Sequence, residues 1–140
     1  MAKVLIIEDN SDVRENIAEI LELADHDVTT AEDGKIGVEK ALETTPDIIV
    51  CDVMMPELDG FGVLRILSKN TKTADVPFIF LTAKSEQEDF RKGMGLGADD
   101  YITKPFDDVE LMDAIEMRLE KSARLKKAFN RSPEGLNHFY

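Results

Sequence analysis

The chain is poor in several things, and each scarcity excludes something. It has one cysteine in 140 residues, Cys51. A lone thiol forms no internal disulfide, which fits a reducing compartment. Cys51 ends an apolar run, the setting of a buried, inert thiol rather than a nucleophile. No apolar stretch approaches the ~20 residues of a membrane span. Met1-Ala2-Lys3 leads directly into a strand-like run, with no apolar leader core or cleavage site. The expected location is the cytoplasm, without membrane association. Cations are scarce in the body of the chain: residues 1–117 hold 11 Lys and Arg against 27 Asp and Glu, whereas residues 118–140 hold 6 against 2. So acidic a body argues against direct nucleic-acid binding, which needs a basic face. There is also no Gly-rich phosphate loop. The first apolar run meets Glu8-Asp9-Asn10, whose acids would repel a dinucleotide, and Gly93-Met94-Gly95-Leu96-Gly97 has the wrong spacing. No internal repeat or low-complexity segment stands out.

What remains is ordinary for a globular domain. Hydrophobic residues make up 43% and charged residues 33% of the chain, and the length suits one domain with a real core. Apolar runs at 3–7, 47–51 and 77–81, with shorter ones at 27–30 and 100–103, read as strands. Continuous runs of this kind are buried on both faces, the mark of a parallel sheet covered by helices. Helical spacing lies between them. Val13, Ile17, Ile20, Leu21 and Ala24 share one face from about Ser11, with Asn10 or Ser11 as cap. Ile36, Val38, Ala41 and Leu42 follow Asp33-Gly34, and Phe61, Val63, Leu64, Ile66 and Leu67 follow the loop at 53–60. A fourth helix is expected from about Ser85, where Ser85-x-x-Glu88 forms a capping box. A fifth starts near Asp107, carries Leu111, Ile115 and Leu119, and extends toward Phe129. Five strand–helix units are too many for a hairpin fold and too few for a closed eight-stranded barrel, so the spacing predicts an α/β, doubly wound open sheet.

Every strand of such a sheet ends on one edge, where open α/β sheets bind ligands. The apolar runs stop there at Glu8-Asp9, Asp52, Thr82 and Lys104. Two acids after the first strand and one after the third can share a hard divalent cation, which takes oxygen ligands. Thr82 can donate to an anionic oxygen, and Lys104 can reach a phosphate as a point charge. An Asp among a metal, a hydroxyl and an ammonium is suited to act as a carboxylate nucleophile toward phosphorus. Pro105, after Lys104, is a candidate for a cis bond.

Four segments carry a resemblance. Ile7-Glu8-Asp9, the run from Cys51-Asp52 through Met54-Met55-Pro56 to Asp59-Gly60, Leu81-Thr82-Ala83 and Tyr101-Ile102-Thr103-Lys104-Pro105-Phe106 stand in order. In them the chain resembles the receiver domains of two-component response regulators, over residues 3 to about 122. The resemblance implies a flavodoxin-like (βα)5 fold, its five-stranded parallel sheet in the order 2-1-3-4-5. It implies that Asp52 accepts a phosphoryl group from a sensor histidine kinase or phosphotransfer protein. Mg²⁺ (or Mn²⁺) would be held by Asp9, Asp52 and the Met54 carbonyl, with Glu8 in the second shell or linked through water. Lys104 and Thr82 would contact the phosphoryl group. Thr82 and Tyr101 would form the switch, changing a face made by the fourth helix, the fifth strand and the fifth helix. Homodimerisation through that face is expected as well. Met54 and Lys84, flanking the site, point to slow spontaneous dephosphorylation.

Such a domain catalyses only its own phosphotransfer and dephosphorylation and is not otherwise an enzyme. A Mg²⁺-dependent phosphohydrolase with an aspartyl intermediate is the alternative, but it usually needs an acid two residues beyond the nucleophile, where Met54 stands. A phosphorylation-independent interaction module usually lacks one of the acids or the lysine, and all are present here. Residues 1–122 are read as the receiver and 123–140 as a helix extension and linker. Pro133-Glu134-Gly135 breaks any helix there, and Leu136, Phe139 and Tyr140 add apolar surface. The expectation is a linker toward a further effector domain. Its cations are read as a solvated helix end, favoured by the helix dipole.

Overall fold

The computed structural model describes residues 2–83 and 94–131, with side chains as far as Ala128. The helix expected from Ser85, Lys84 and the segment from Ser132 to Tyr140 lie outside the described residues. In chain order the elements are β1 (Lys3–Ile7), α1 (Ser11–Leu23), β2 (Asp27–Ala31), α2 (Gly34–Thr44), β3 (Ile48–Asp52), α3 (Gly60–Ser68), β4 (Phe78–Ala83), β5 (Asp100–Lys104) and α4 (Asp108–Arg131). The strands form one sheet in the order β2-β1-β3-β4-β5. All four pairings are parallel. This is the expected flavodoxin-like arrangement.

Alternation along the strands builds two cores. Leu5, Ile7, Ile49, Cys51, Phe78 and Phe80 face one side, packed with Ala41 of α2 and with Phe61, Val63, Leu64 and Leu67 of α3. Val4, Ile6, Ile48, Val50, Ile79 and Leu81 face the other, against Ile17 and Leu21 of α1 and Leu111 and Ile115 of α4. β1 and β3 are therefore apolar at nearly every position, because both their faces are covered. Of the α3 residues at helical spacing, Ile66 turns outward and is exposed.

The helix starts are set by short polar side chains. Asn10 Oδ1 accepts from Val13 N at 3.0 Å, Asp33 Oδ1 from Ile36 N at 2.8 Å, and Asp59 Oδ1 from Gly62 N at 2.9 Å. Each satisfies an amide that has no partner within its helix. Asn10, not Ser11, is the cap of α1. β2, β3, β4 and β5 each end one or two residues later than their apolar residues suggest. β4 continues through Thr82 and Ala83 because β5 pairs with both, Thr82 beside Thr103 and Ala83 beside Lys104.

Thr45, the C-cap of α2, has φ 45° and ψ 74°, in the left-handed region. A β-branched side chain is strained there, and glycine is the usual solution. Thr45→Gly is expected to stabilise the protein by about 1 kcal/mol, read as a higher urea midpoint at unchanged m-value.

Candidate functional site

The site is built where the C-terminal ends of β1, β3 and β5 meet. Glu8 and Asp9 follow β1, Asp52 closes β3, and Lys104 closes β5. Register does the alignment: Ile7 sits beside Cys51, Asp52 beside Leu81, and Ala83 beside Lys104. Glu8, Asp9 and Asp52 bring one carboxylate oxygen each within 4.8 Å of one another. Glu8 and Asp52 are buried, and Asp9 is exposed at the mouth. Lys104 Nζ lies 2.6 Å from Glu8 Oε1 and 3.4 Å from Asp52 Oδ1. One ammonium thus serves two buried carboxylates.

The electrostatics follow from that imbalance. Burial, then the neighbouring Glu8, push Asp52 up to about 7, and Lys104 offsets them only in part. Burial also acts upward on Glu8, yet hydrogen bonding with Asp52 and the contact with Lys104 outweigh it and hold Glu8 below the usual range. Asp9 is raised by its partial burial and by Glu8. For Lys104 burial acts downward, but the bond to Glu8 and the charge of Asp52 win and keep it raised and charged. Negative charge is in excess at this edge, and the donors are all carboxylate oxygens. That set fits a hard divalent cation.

The structure places the other sequence-predicted residues as follows. Thr82 is buried, its hydroxyl donating to the Ala83 carbonyl at 3.3 Å. Tyr101 is half-buried and paired in register with Phe80, with ring centroids 5.4 Å apart. The Met54 side chain is exposed. The Lys104–Pro105 bond is cis. Cys51 is fully buried, and burial, with Asp52 beside it, raises its thiol well above the ordinary value, so it is inert as read from the sequence. Arg14 was not foreseen. Its Nη1 donates to the Glu8 carbonyl at 2.9 Å, tying the acidic turn to α1. Its only signal is a cation one helical turn into the element that follows the acids.

Residues 4–116 match the response regulator receiver domain family. The chain belongs to that family. It is the receiver of a two-component system, a signalling domain rather than a catalytic enzyme, and its Glu8, Asp9 and Asp52 cluster fits a phosphorylation site. A kinase partner is implied. Among curated relatives, the receiver is 38% identical over 132 residues to the DNA-binding dual master transcriptional regulator RpaA of Synechocystis sp., covering 94% of this chain and 55% of that one. It is 42% identical over 121 residues to the response regulator ArlR of Staphylococcus saprophyticus, covering 86% and 54%. The chain thus spans about half the length of these relatives. Among solved structures it superposes on a receiver domain protein from Clostridium thermocellum with a TM-score of 0.84 at 30% identity, covering 89% of this chain and 99% of that one. The chemotaxis protein CheY4 of Vibrio cholerae gives 0.79 at 30%, covering 84% and 98%. No helix among the described residues is long and apolar enough to cross a membrane.

The raised Asp52 has a consequence for stability. The folded receiver keeps its Asp52 proton to about 7, whereas the unfolded chain releases it near the ordinary 3.8. The folded state therefore holds more protons between those values, and stability falls as pH rises through that window. Asp52→Asn removes the titration. In EDTA the variant is expected to exceed wild type by roughly 1–2 kcal/mol at about pH 8, and to match it near pH 4. Urea unfolding at both pH values checks this.

Proposed function

We propose that the receiver is a phosphorylation-dependent switch that accepts a phosphoryl group on Asp52 from a histidine kinase or phosphotransfer protein in a Mg²⁺-dependent reaction. The observation that carries this reading is the Asp52 carboxylate buried between Glu8, Asp9 and the Lys104 ammonium. Asp9, Asp52 and the Met54 carbonyl would hold Mg²⁺ (or Mn²⁺), with Glu8 in its second shell or linked through water. When bound, the cation offsets negative charge on the phosphoryl oxygens. A carboxylate oxygen of Asp52 attacks phosphorus, and the bond between phosphorus and the donor histidine nitrogen breaks. Lys104 turns from Glu8 toward a phosphoryl oxygen, and Thr82 donates its hydroxyl to another.

The output follows from packing. Thr82 and Tyr101 sit on adjacent strands, and the Tyr101 ring leans on Phe80. Drawing Thr82 toward a phosphoryl group alters the room beside β4, and Tyr101 moves with it. Through that face the receiver controls a partner or an effector domain in the cytoplasm. RpaA is by its name a DNA-binding regulator, and the acidic charge of this receiver disfavours direct contact with nucleic acid.

Intact-mass analysis after incubation with acetyl phosphate and Mg²⁺ tests the reading. One added phosphoryl group is expected, absent in Asp52→Asn and absent in EDTA. An adduct that persists in the variant would place the phosphoacceptor elsewhere. No adduct and no released phosphate from wild type would overturn the switch.

A further inference from the structure

We propose that the cleft under the overhanging end of α4 is a binding site for a small carboxylate with an apolar body. α4 has 24 residues, about 36 Å of helix, whereas the five residues of β5 beside it span about 17 Å. The helix therefore outruns the sheet. Its core-facing stripe begins with Leu111 and Ile115, both buried. Arg118, Ser122 and Leu125 continue that stripe at spacings of three and four residues, past the N-terminal ends of β4 and β5. Leu125 is 61% exposed because the sheet has ended beneath it.

The space so left has a volume of about 840 Å³, within the usual range of small-molecule sites. Pro77, just before β4, joins Leu125 and Ala128 of α4 in an apolar wall. The cations of the cleft are Arg118, Lys121 and Lys126. Of its two acids, Asp99 is already engaged, since its Oδ2 accepts from Phe78 N at 2.7 Å. Asp75 is exposed to solvent, which screens it. The balance inside the cleft is therefore positive.

Arg118 decides the charge and shape of the ligand. Its side chain is 24% exposed, yet its Nε–H is shut off from solvent and has no hydrogen-bond acceptor among the described residues. Asp100 Oδ2, at 3.9 Å, is beyond hydrogen-bond reach. A sheltered donor left unmade is costly, and a carboxylate oxygen would satisfy it. The planar fork of a guanidinium takes both oxygens of a carboxylate at once. An aromatic or branched body then lies along Pro77 and Leu125, and the exposed Lys121 and Lys126 add positive charge at the rim. The cleft is at the opposite edge of the sheet from Asp52, so the proposal stands or falls apart from phosphorylation.

Backbone amide chemical shifts of the full chain, titrated with naphthylacetate, phenylacetate and isocaproate, test it. At least one of the three is expected to bind at about 1 mM or tighter, shifting the amides of Asp75, Asp99, Ser122 and Leu125. The neutral amide of that acid, and plain acetate, should each bind at least about tenfold more weakly, one lacking the charge and the other the body. Arg118→Met and Leu125→Glu should weaken the carboxylate at least about tenfold as well. Met117→Glu, on the same helix but outside the cleft and exposed, should leave its affinity unchanged. No shift at the cleft from any of the three acids up to about 10 mM, or shifts confined to the edge at Asp52, would overturn the proposal. So would a neutral amide that binds as tightly as its acid, or full affinity in Arg118→Met.

Discussion

Gly60→Ala is expected to cost about 3 kcal/mol or more and to disturb Asp52 with it. Gly60 opens α3 immediately beside the end of β3, and its amide donates to the Val53 carbonyl at 2.8 Å. A Cβ there would press into the Asp52 carbonyl oxygen, and it would lie 2.9 Å from Phe80 Cε1 and 3.0 Å from Val53 Cα. Two of those obstacles are backbone, which cannot rotate aside. The strand end must yield, and it carries the phosphoacceptor. Gly62→Ala is the control. Its Cβ would meet chiefly the end of the Leu58 side chain, which can move. Alanine also favours a helix interior by up to about 1 kcal/mol over glycine. Urea unfolding of both variants, with the phosphorylation rate of each, checks the contrast. A Gly60→Ala protein as stable as wild type would mean that α3 can retreat from β3 without cost.

The contrast between these glycines shows what a sequence carries and what it does not. The strands of the sheet were legible because two-sided burial writes itself as continuous apolar residues, as in Val4-Leu5-Ile6-Ile7 and Ile48-Ile49-Val50-Cys51. The cap of α1 was legible too, since Asn10 acts on an amide three residues ahead, whereas Asp33 and Asp59, which cap α2 and α3 in the same way, were read only as part of a helix start and of a loop. The acidic cluster could be gathered from the chain because parallel strands end on one edge. Other features depend on distance in space. Gly60 is confined by Phe80, twenty residues away, and nothing local announces that. Lys104 was read as a phosphate partner, and its present bond to Glu8 spans 96 residues. The last residues of β4 were missed because Thr82 and Ala83 gain their ladder from β5, not from their own apolarity. Thr45 in a left-handed cap has no signature, since a β-branched residue argues against that conformation.

Lys104→Met should produce a pH-dependent loss of stability together with a loss of phosphoryl acceptance. Met retains most of the aliphatic stem and removes the ammonium, which lies 2.6 Å from Glu8 and 3.4 Å from Asp52. Glu8 is fully buried, so without Lys104 its carboxylate loses the ammonium at 2.6 Å and faces Asp9 and Asp52. Stripping one partner from a buried pair costs about 3–5 kcal/mol when the other stays charged. Here the acids escape part of that by protonation. The folded pKa of Asp52 rises further above its unfolded value, and that of Glu8, which Lys104 helps hold down, rises as well, so the folded variant holds extra protons, and its stability falls as pH climbs through that window. Near pH 5 the variant should therefore approach wild type, and at about pH 8 it should lie about 2–3 kcal/mol below it. Wild type does not show this fall from its lysine, because Lys104 is raised above its ordinary value and stays charged throughout. Millimolar Mg²⁺ should narrow the gap at high pH if the acids hold a cation as proposed. Acetyl phosphate labelling should slow by at least about tenfold, the usual scale for removing one charge-stabilising group. Chemical denaturation at the two pH values, with and without Mg²⁺, separates these effects. A gap independent of pH would mean that Lys104 acts through packing of its stem rather than through its charge.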